Sequence, residues 1–261
     1  MKGKDMAKII AIANQKGGVG KTTTAVNLSA AIAQAGKKVL MVDLDPQGNT
    51  TSGFGRAVNE RSSVYDALMG RADLKNCIQD TDIKKLKLIG ADIRLAGAEV
   101  ELVSVKEREF FLKKLLGALR EDYDFIFIDC PPSLSLLTLN AMAAADSVLV
   151  PIQCEYYALE GVKALMDTVN RVKHTFNPHL EIEGILLTML DGRTNLGLQV
   201  VDQVKKHFRK QVFATMIPRN VRLGEAPSHG EPICIYDPRS SGAMAYESLA
   251  KEVMARNKKK K

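Results

Sequence analysis

Lys16-Gly17-Gly18-Val19-Gly20-Lys21-Thr22-Thr23 follows an apolar run, Ile9 to Ala13, and opens a helical pattern, Thr24 to Ala35. Three glycines within four residues let the backbone approach a ligand closely and turn its N–H groups inward. The N-terminus of the following helix adds partial positive charge. The stretch therefore reads as a cradle for phosphate. Lys21 is placed to reach β- and γ-phosphates and the Thr22 hydroxyl to ligate Mg²⁺, with Gly17, Gly18, Val19, Gly20 and Thr23 completing the cradle. The usual spacing, G-x-x-x-x-G-K-[ST], is met only in part: Gln15 stands at the first glycine position and a second lysine, Lys16, follows it.

Outward from this loop, apolar β-branched segments alternate with helical patterns. That is the signature of an α/β fold, a doubly wound, mostly parallel sheet with helices on both faces. Strands are expected at Ile9–Ala13, Lys38–Val42, Leu86–Ile89, Phe125–Ile128, Val148–Ile152, Ile185–Thr188 and Val212–Ile217, each a short continuous apolar run. Phe111, Leu112, Leu115, Leu116 and Leu119 recur at helical spacing, as do Tyr246, Leu249, Ala250 and Val253, and these stripes are expected in the core. Ligands of such a sheet sit at the carboxyl ends of its strands. Two acidic segments end there: Val42-Asp43-Leu44-Asp45-Pro46-Gln47-Gly48-Asn49 and Ile128-Asp129-Cys130-Pro131-Pro132. Asp129 is placed to hold Mg²⁺ through its water shell, since that ion keeps several waters. Asp45, beside Pro46 and Gly48, sits in a loop able to carry it toward the γ-phosphate and the attacking water. For Asp43 a structural role and a Mg²⁺-linked role both stand open.

The 261 residues contain no Pro/Gly/Ser-rich linker, low-complexity block or internal repeat. One domain over residues 1–261 is expected, with a short polar N-terminus (1–6) and a basic tail (257–261). The apolar share of 46% suits a sizeable core. No apolar run approaches the roughly 20 residues that a bilayer crossing needs, and Met1 to Asp5 is too short and polar for a secretory signal. Cys77, Cys130, Cys154 and Cys234, and the four histidines, show no metal-ligand spacing. The net charge of +7 leans on Lys258 to Lys261, without which +3 remains. Such a tail is either a solvated end or a contact to a polyanion.

The cradle and the two acidic segments are joined by three further stretches: Gln153-Cys154-Glu155-Tyr156-Tyr157-Ala158-Leu159-Glu160-Gly161, Thr188-Met189-Leu190-Asp191-Gly192-Arg193-Thr194-Asn195, and Ile217-Pro218-Arg219-Asn220-Val221-Arg222-Leu223-Gly224-Glu225. Together they closely resemble the deviant Walker A ATPases of the ParA/MinD family, from about Lys8 to about Ala255. The resemblance implies a P-loop NTPase that binds ATP and Mg²⁺ and forms an ATP-bound sandwich homodimer, in which Lys16 reaches phosphates bound by the partner. It further implies that Pro218 and Asn220 contact adenine, that Met189 and Asp191 lie near base or ribose, and that Glu155 approaches ribose across the dimer. Lys16, Lys21 and Asp45 become the catalytic candidates, Thr22 and Asp129 the metal candidates. Non-specific binding of double-stranded DNA by the dimer is implied too, with Arg193, Arg219 and Arg222 as candidate contacts and Lys205, Lys206, Arg209 and Lys210 in reserve. The implied task is chromosome partitioning by a cytoplasmic, nucleoid-associated protein whose hydrolysis a ParB/Spo0J-type partner stimulates, with no membrane partner. The alternatives are a MinD-like regulator at a membrane and a small-molecule ATP-dependent ligase.

Overall fold

The computed structural model describes residues 6–155 and 158–258. Among them seven strands form one sheet: β1 (Lys8–Ile12), β2 (Val39–Asp43), β3 (Ile78–Asp80), β4 (Leu86–Ile89), β5 (Phe125–Asp129), β6 (Ser147–Gln153) and β7 (Glu181–Thr188). Their order is β3-β4-β2-β5-β1-β6-β7. Every pairing is parallel except that of β3 with β4. All residues of β2 and β5 are buried, as continuous apolar runs between two helical layers must be. Alternate residues serve opposite faces: Ile9, Ala11, Leu40, Val42, Ile126 and Ile128 join one core, while Ile10, Ile12, Val39, Met41, Phe125 and Phe127 join the other.

The second core is closed by the helix that follows the glycine loop, α1 (Lys21–Gln34), and by the helix Ser241–Arg256. Tyr246, Leu249, Ala250 and Val253 are all buried in that contact, as their spacing predicts. Thr24 Oγ1 lies 3.2 Å from Tyr246 Oη, satisfying two buried hydroxyls at once. Ile12 of β1 and Asp43 of β2 both stand opposite Asp129 of β5. The register therefore delivers the glycine loop and both acidic strand ends to the carboxyl end of the central strands. No helix among the described residues is long and apolar enough to cross a membrane.

Two elements differ from the sequence expectation. Ile78–Asp80 is an edge strand too short and polar to announce itself, and it runs antiparallel to β4. Val212–Ile217, expected as a strand, makes only an isolated bridge at Val212, with another just beyond it at Pro218. Its Phe213 and Ile217 N–H groups donate to β7, both at 2.9 Å. Those of Ala214 and Thr215 instead donate to the Glu252 carboxylate at 2.9 and 3.0 Å, so the ladder is interrupted by a side chain from the last helix. That helix ends at Arg256. Met1–Asp5 and Lys259–Lys261, the outer parts of the expected polar terminus and basic tail, lie outside the described residues, as do Tyr156 and Tyr157.

Candidate nucleotide and magnesium site

Gly18 (φ 73°) and Gly20 (φ 86°) take the left-handed backbone that glycine adopts without a Cβ penalty. Gly20 is also the N-cap of α1 and offers no capping side chain, so the first-turn N–H groups stay open to an anion. The loop is anchored from behind. Thr188 Oγ1 bridges Val19 O (2.8 Å) and Ile152 O (3.0 Å). Asn14 Nδ2 donates to Pro151 O at 2.7 Å, while Asn14 Oδ1 accepts from Lys16 N at 3.0 Å. Lys21 Nζ folds back over the cradle and donates to Lys16 O at 3.0 Å. Burial lowers the Lys21 ammonium pKa, and Asp129 opposes that shift.

Asp129 is wholly buried. Its Oδ2 accepts two hydroxyls, Thr22 Oγ1 and Thr50 Oγ1, each at 2.8 Å. Its Oδ1 is buried and has no partner among the described residues. An orphaned carboxylate oxygen at the foot of a phosphate loop, beside a threonine hydroxyl, is what a hydrated Mg²⁺ needs, so these residues fit the ion. Burial, and then the neighbouring Asp43, push the Asp129 carboxyl up to about 7. Asp43 is equally buried, and burial raises it to about 6. Both its oxygens are engaged: Oδ2 accepts Thr51 N (2.9 Å) and Thr51 Oγ1 (2.7 Å), and Oδ1 accepts Asp45 N (3.1 Å). Of the two roles left open for Asp43, this geometry supports the structural one. Asp45 is 7% exposed in the loop before the short helix α2 (Asn49–Gly53), and its Oδ1 accepts Gln47 N at 3.0 Å.

A test of the Asp129 environment follows from the sign of its shift. Because the folded-state value lies above the ordinary one, the fold takes up a proton that the unfolded chain lacks. The share of stability that Asp129 controls without metal or nucleotide therefore falls as pH rises from about 4 to about 7. Asp129→Asn removes that dependence. Its melting temperature at pH 8 is expected to rise by about a few degrees above wild type and to converge with it toward pH 4, while stabilisation by added Mg²⁺ is lost. Melts across this range, with and without Mg²⁺, check both halves.

On the other side of Gly20 lies a groove of about 480 Å³ whose lining includes Thr23, Met189, Arg219, Asn220 and Tyr246. Pro218 pairs with Leu190 beside it, and Met189 holds a left-handed backbone, φ 52°. Three of the base candidates are thus brought to one place. The Asn220 amide is, however, engaged: Oδ1 caps the helix Val221–Glu225 by accepting Arg222 N (2.8 Å), and Nδ2 donates to Ser241 Oγ (2.7 Å). Lys16 Nζ stands 3.1 Å from Glu155 Oε2, both side chains 48% exposed.

The arginines are less free than the sequence suggests. Arg193 grips Asp191 through Nε (2.9 Å) and Nη2 (2.8 Å) and holds that carboxyl down to about 2. Arg222 faces Glu225 at 2.9 Å and Asp237 at 3.5 Å. Arg219 is exposed beside the groove. Sequence reasoning passed over Thr50 and Thr51. Their position just past an acidic strand end was a usable signal, but only the turn at Gly48 shows that they fold back onto the carboxylates.

A family model described as an AAA domain matches residues 7–182. The sporulation initiation inhibitor protein Soj of Bacillus subtilis is 60% identical over 251 residues, covering 96% of this chain and 99% of that protein. The chromosome partitioning protein ParA of Myxococcus xanthus is 52% identical over 253 residues, covering 97% and 89%. Among solved structures, a cobyrinic acid a,c-diamide synthase from Mycobacterium smegmatis with bound ADP and magnesium superposes with a TM-score of 0.85 at 38% identity, covering 97% of this chain and 96% of that one. A putative plasmid partition protein from Borrelia burgdorferi bound to AMPPNP gives 0.81 at 27% identity, covering 96% and 99%. Likeness at this level runs from the glycine loop through both acidic strand ends to the last helix, and the chain belongs to the ParA/Soj family of AAA-domain partitioning proteins.

Proposed function

We propose that this chain is a magnesium-dependent ATPase of chromosome partitioning, a single domain that binds ATP in its glycine loop and completes its site by pairing with a second copy. The observation that carries the reading is Asp129, with Thr22 on one oxygen and the other left unpaired below the loop. The name of the M. xanthus relative, a chromosome partitioning protein, supplies the task. Bound Mg²⁺ would offset charge on the β- and γ-phosphates. Thr22 would ligate it directly and Asp129 through water. Lys21, relieved of Lys16 O, would turn to the phosphates, and Asp45 would orient the attacking water. Lys16 Nζ is held by Glu155 at the surface, and a cation supplied in trans would stabilise charge that develops on the partner's transferring phosphoryl group.

Pairing would also bring two copies of Arg193, Arg219 and Arg222 onto one DNA, so that ATP controls DNA affinity through assembly. Arg193→Glu combined with Arg222→Glu is expected to weaken retention on random duplex DNA at low salt at least about tenfold. Retention equal to wild type would place the DNA surface elsewhere. Stimulation of turnover by a ParB-type partner completes the proposed cycle.

Because one structural neighbour is named as a diamide synthase, a small-molecule ligase is the competing reading. Gel filtration with light scattering, run with a slowly hydrolysed ATP analogue or ADP and with or without random duplex DNA, separates the two. A dimer formed only with the triphosphate, and DNA retention only by that dimer, supports partitioning. A nucleotide-indifferent monomer without DNA affinity overturns it.

A further inference from the structure

We propose that Thr50 is a positioning residue of the magnesium site: its hydroxyl, donated to Asp129 Oδ2, turns the carboxylate so that only Oδ1 faces the ion's water shell. This rests on the ATPase reading above. With Thr22 as sole donor, the Asp129 carboxylate could rotate about its Cβ–Cγ bond and exchange its two oxygens. Two donors converging on Oδ2 at 2.8 Å from separate helices, Thr22 on α1 and Thr50 on α2, remove that freedom. Thr50 is itself buried in a tied segment. It is 0% exposed, and the next residue, Thr51, is tied to Asp43 through N and Oγ1 while its Oγ1 accepts Ala91 N at 3.0 Å. The preceding turn is fixed at Gly48 (φ 64°), where a Cβ would come within 2.9 Å of Ala91 O. Thr50 lies five residues beyond Asp45, so the same bond ties the loop carrying the water-orienting carboxylate to the metal-holding one. Partners that orient a metal-holding group typically change metal affinity by about 10- to 100-fold when removed.

The test is equilibrium binding of a fluorescent ATP analogue to the full chain, titrated with MgCl₂ from zero. Thr50→Val preserves shape and deletes the donor. It is expected to raise the half-saturating Mg²⁺ concentration about tenfold while leaving metal-free nucleotide affinity within about twofold, and Thr50→Ser is expected to restore the wild-type titration. An unshifted midpoint in Thr50→Val overturns the inference. So does an equal loss of nucleotide affinity without metal, or a Ser variant as impaired as Val, since either outcome makes Thr50 a packing residue. Thr50→Ala replaces Val in the comparison if Val does not fold. Should the wild-type chain itself bind the analogue without regard to Mg²⁺, the magnesium site assigned to Asp129 and Thr22 falls along with the inference. A magnesium-dependent wild type with an unshifted variant sinks the inference alone.

Discussion

Lys16→Ala is expected to leave ATP-loaded protein at the monomer position in gel filtration and to cut phosphate release by about 10³-fold, in the range that removing a trans-acting cation costs other phosphoryl-transfer sites. The substitution is unusually clean. The contact that Lys21 Nζ makes is to the Lys16 backbone carbonyl, and Lys16 N is held by the Asn14 side chain, so both survive in alanine. What disappears is an ion pair to Glu155 between half-exposed side chains, a kind worth about 0–1 kcal/mol. The fold and the cradle's own affinity for ATP should therefore persist, and loss of assembly cannot be charged to misfolding. Equal ATP binding by wild type and variant, measured alongside the column profile, isolates the effect to the partner's site. A variant that still dimerises with ATP and turns over within about twofold of wild type would show that Lys16 acts only within its own subunit or not at all.

What the sequence made legible divides along local and non-local lines. The glycine loop, the order of elements around it and the two acidic strand ends could be read because each is written in adjacent residues: positive-φ glycines, unbroken apolar runs, a carboxylate directly after a strand. The burial of Tyr246, Leu249 and Val253 was legible for the same reason, through helical spacing. Ile78–Asp80 was too short to read; the rest of what the structure adds is non-local. Val212–Ile217 has a strand's composition, yet Glu252, nearly forty residues on, captures the N–H groups of Ala214 and Thr215 that a ladder would use. Arg193 and Arg222 count as positive charges in a sequence, but Asp191, Glu225 and Asp237 discount them in space. Asn220 reads as a base contact by resemblance, while its side chain caps a helix and binds Ser241. Thr50 and Thr51 look like ordinary residues of a polar turn until Asp129 and Asp43 are placed opposite them. Charge neutralisation and side-chain capture depend on which segments meet, and periodicity says nothing of that.

Asp45→Ala is expected to do the opposite of Lys16→Ala: turnover should fall by about 10²–10⁴-fold, the span associated with losing a group that orients or deprotonates the nucleophile, while the ATP-bound dimer accumulates and stays on DNA. The local structure allows that separation. The Asp45 backbone is held independently of its carboxylate, since its N–H donates to Asp43 Oδ1 and its carbonyl accepts Gly48 N at 2.9 Å. The side chain adds one bond, from Gln47 N at 3.0 Å, whose loss costs about 1 kcal/mol. That single bond is also the rival explanation, because a residue that merely caps its own turn would show the same contact. Asp45→Asn decides between them. The amide oxygen can still accept from Gln47 N, but the charge that draws a proton from water is gone. If Asn turns over like wild type while Ala does not, Asp45 shapes the loop and the water must be oriented by another group. If Asn is as slow as Ala and both hold the dimer on DNA, the carboxylate itself does the work, and hydrolysis is the event that releases the protein from DNA.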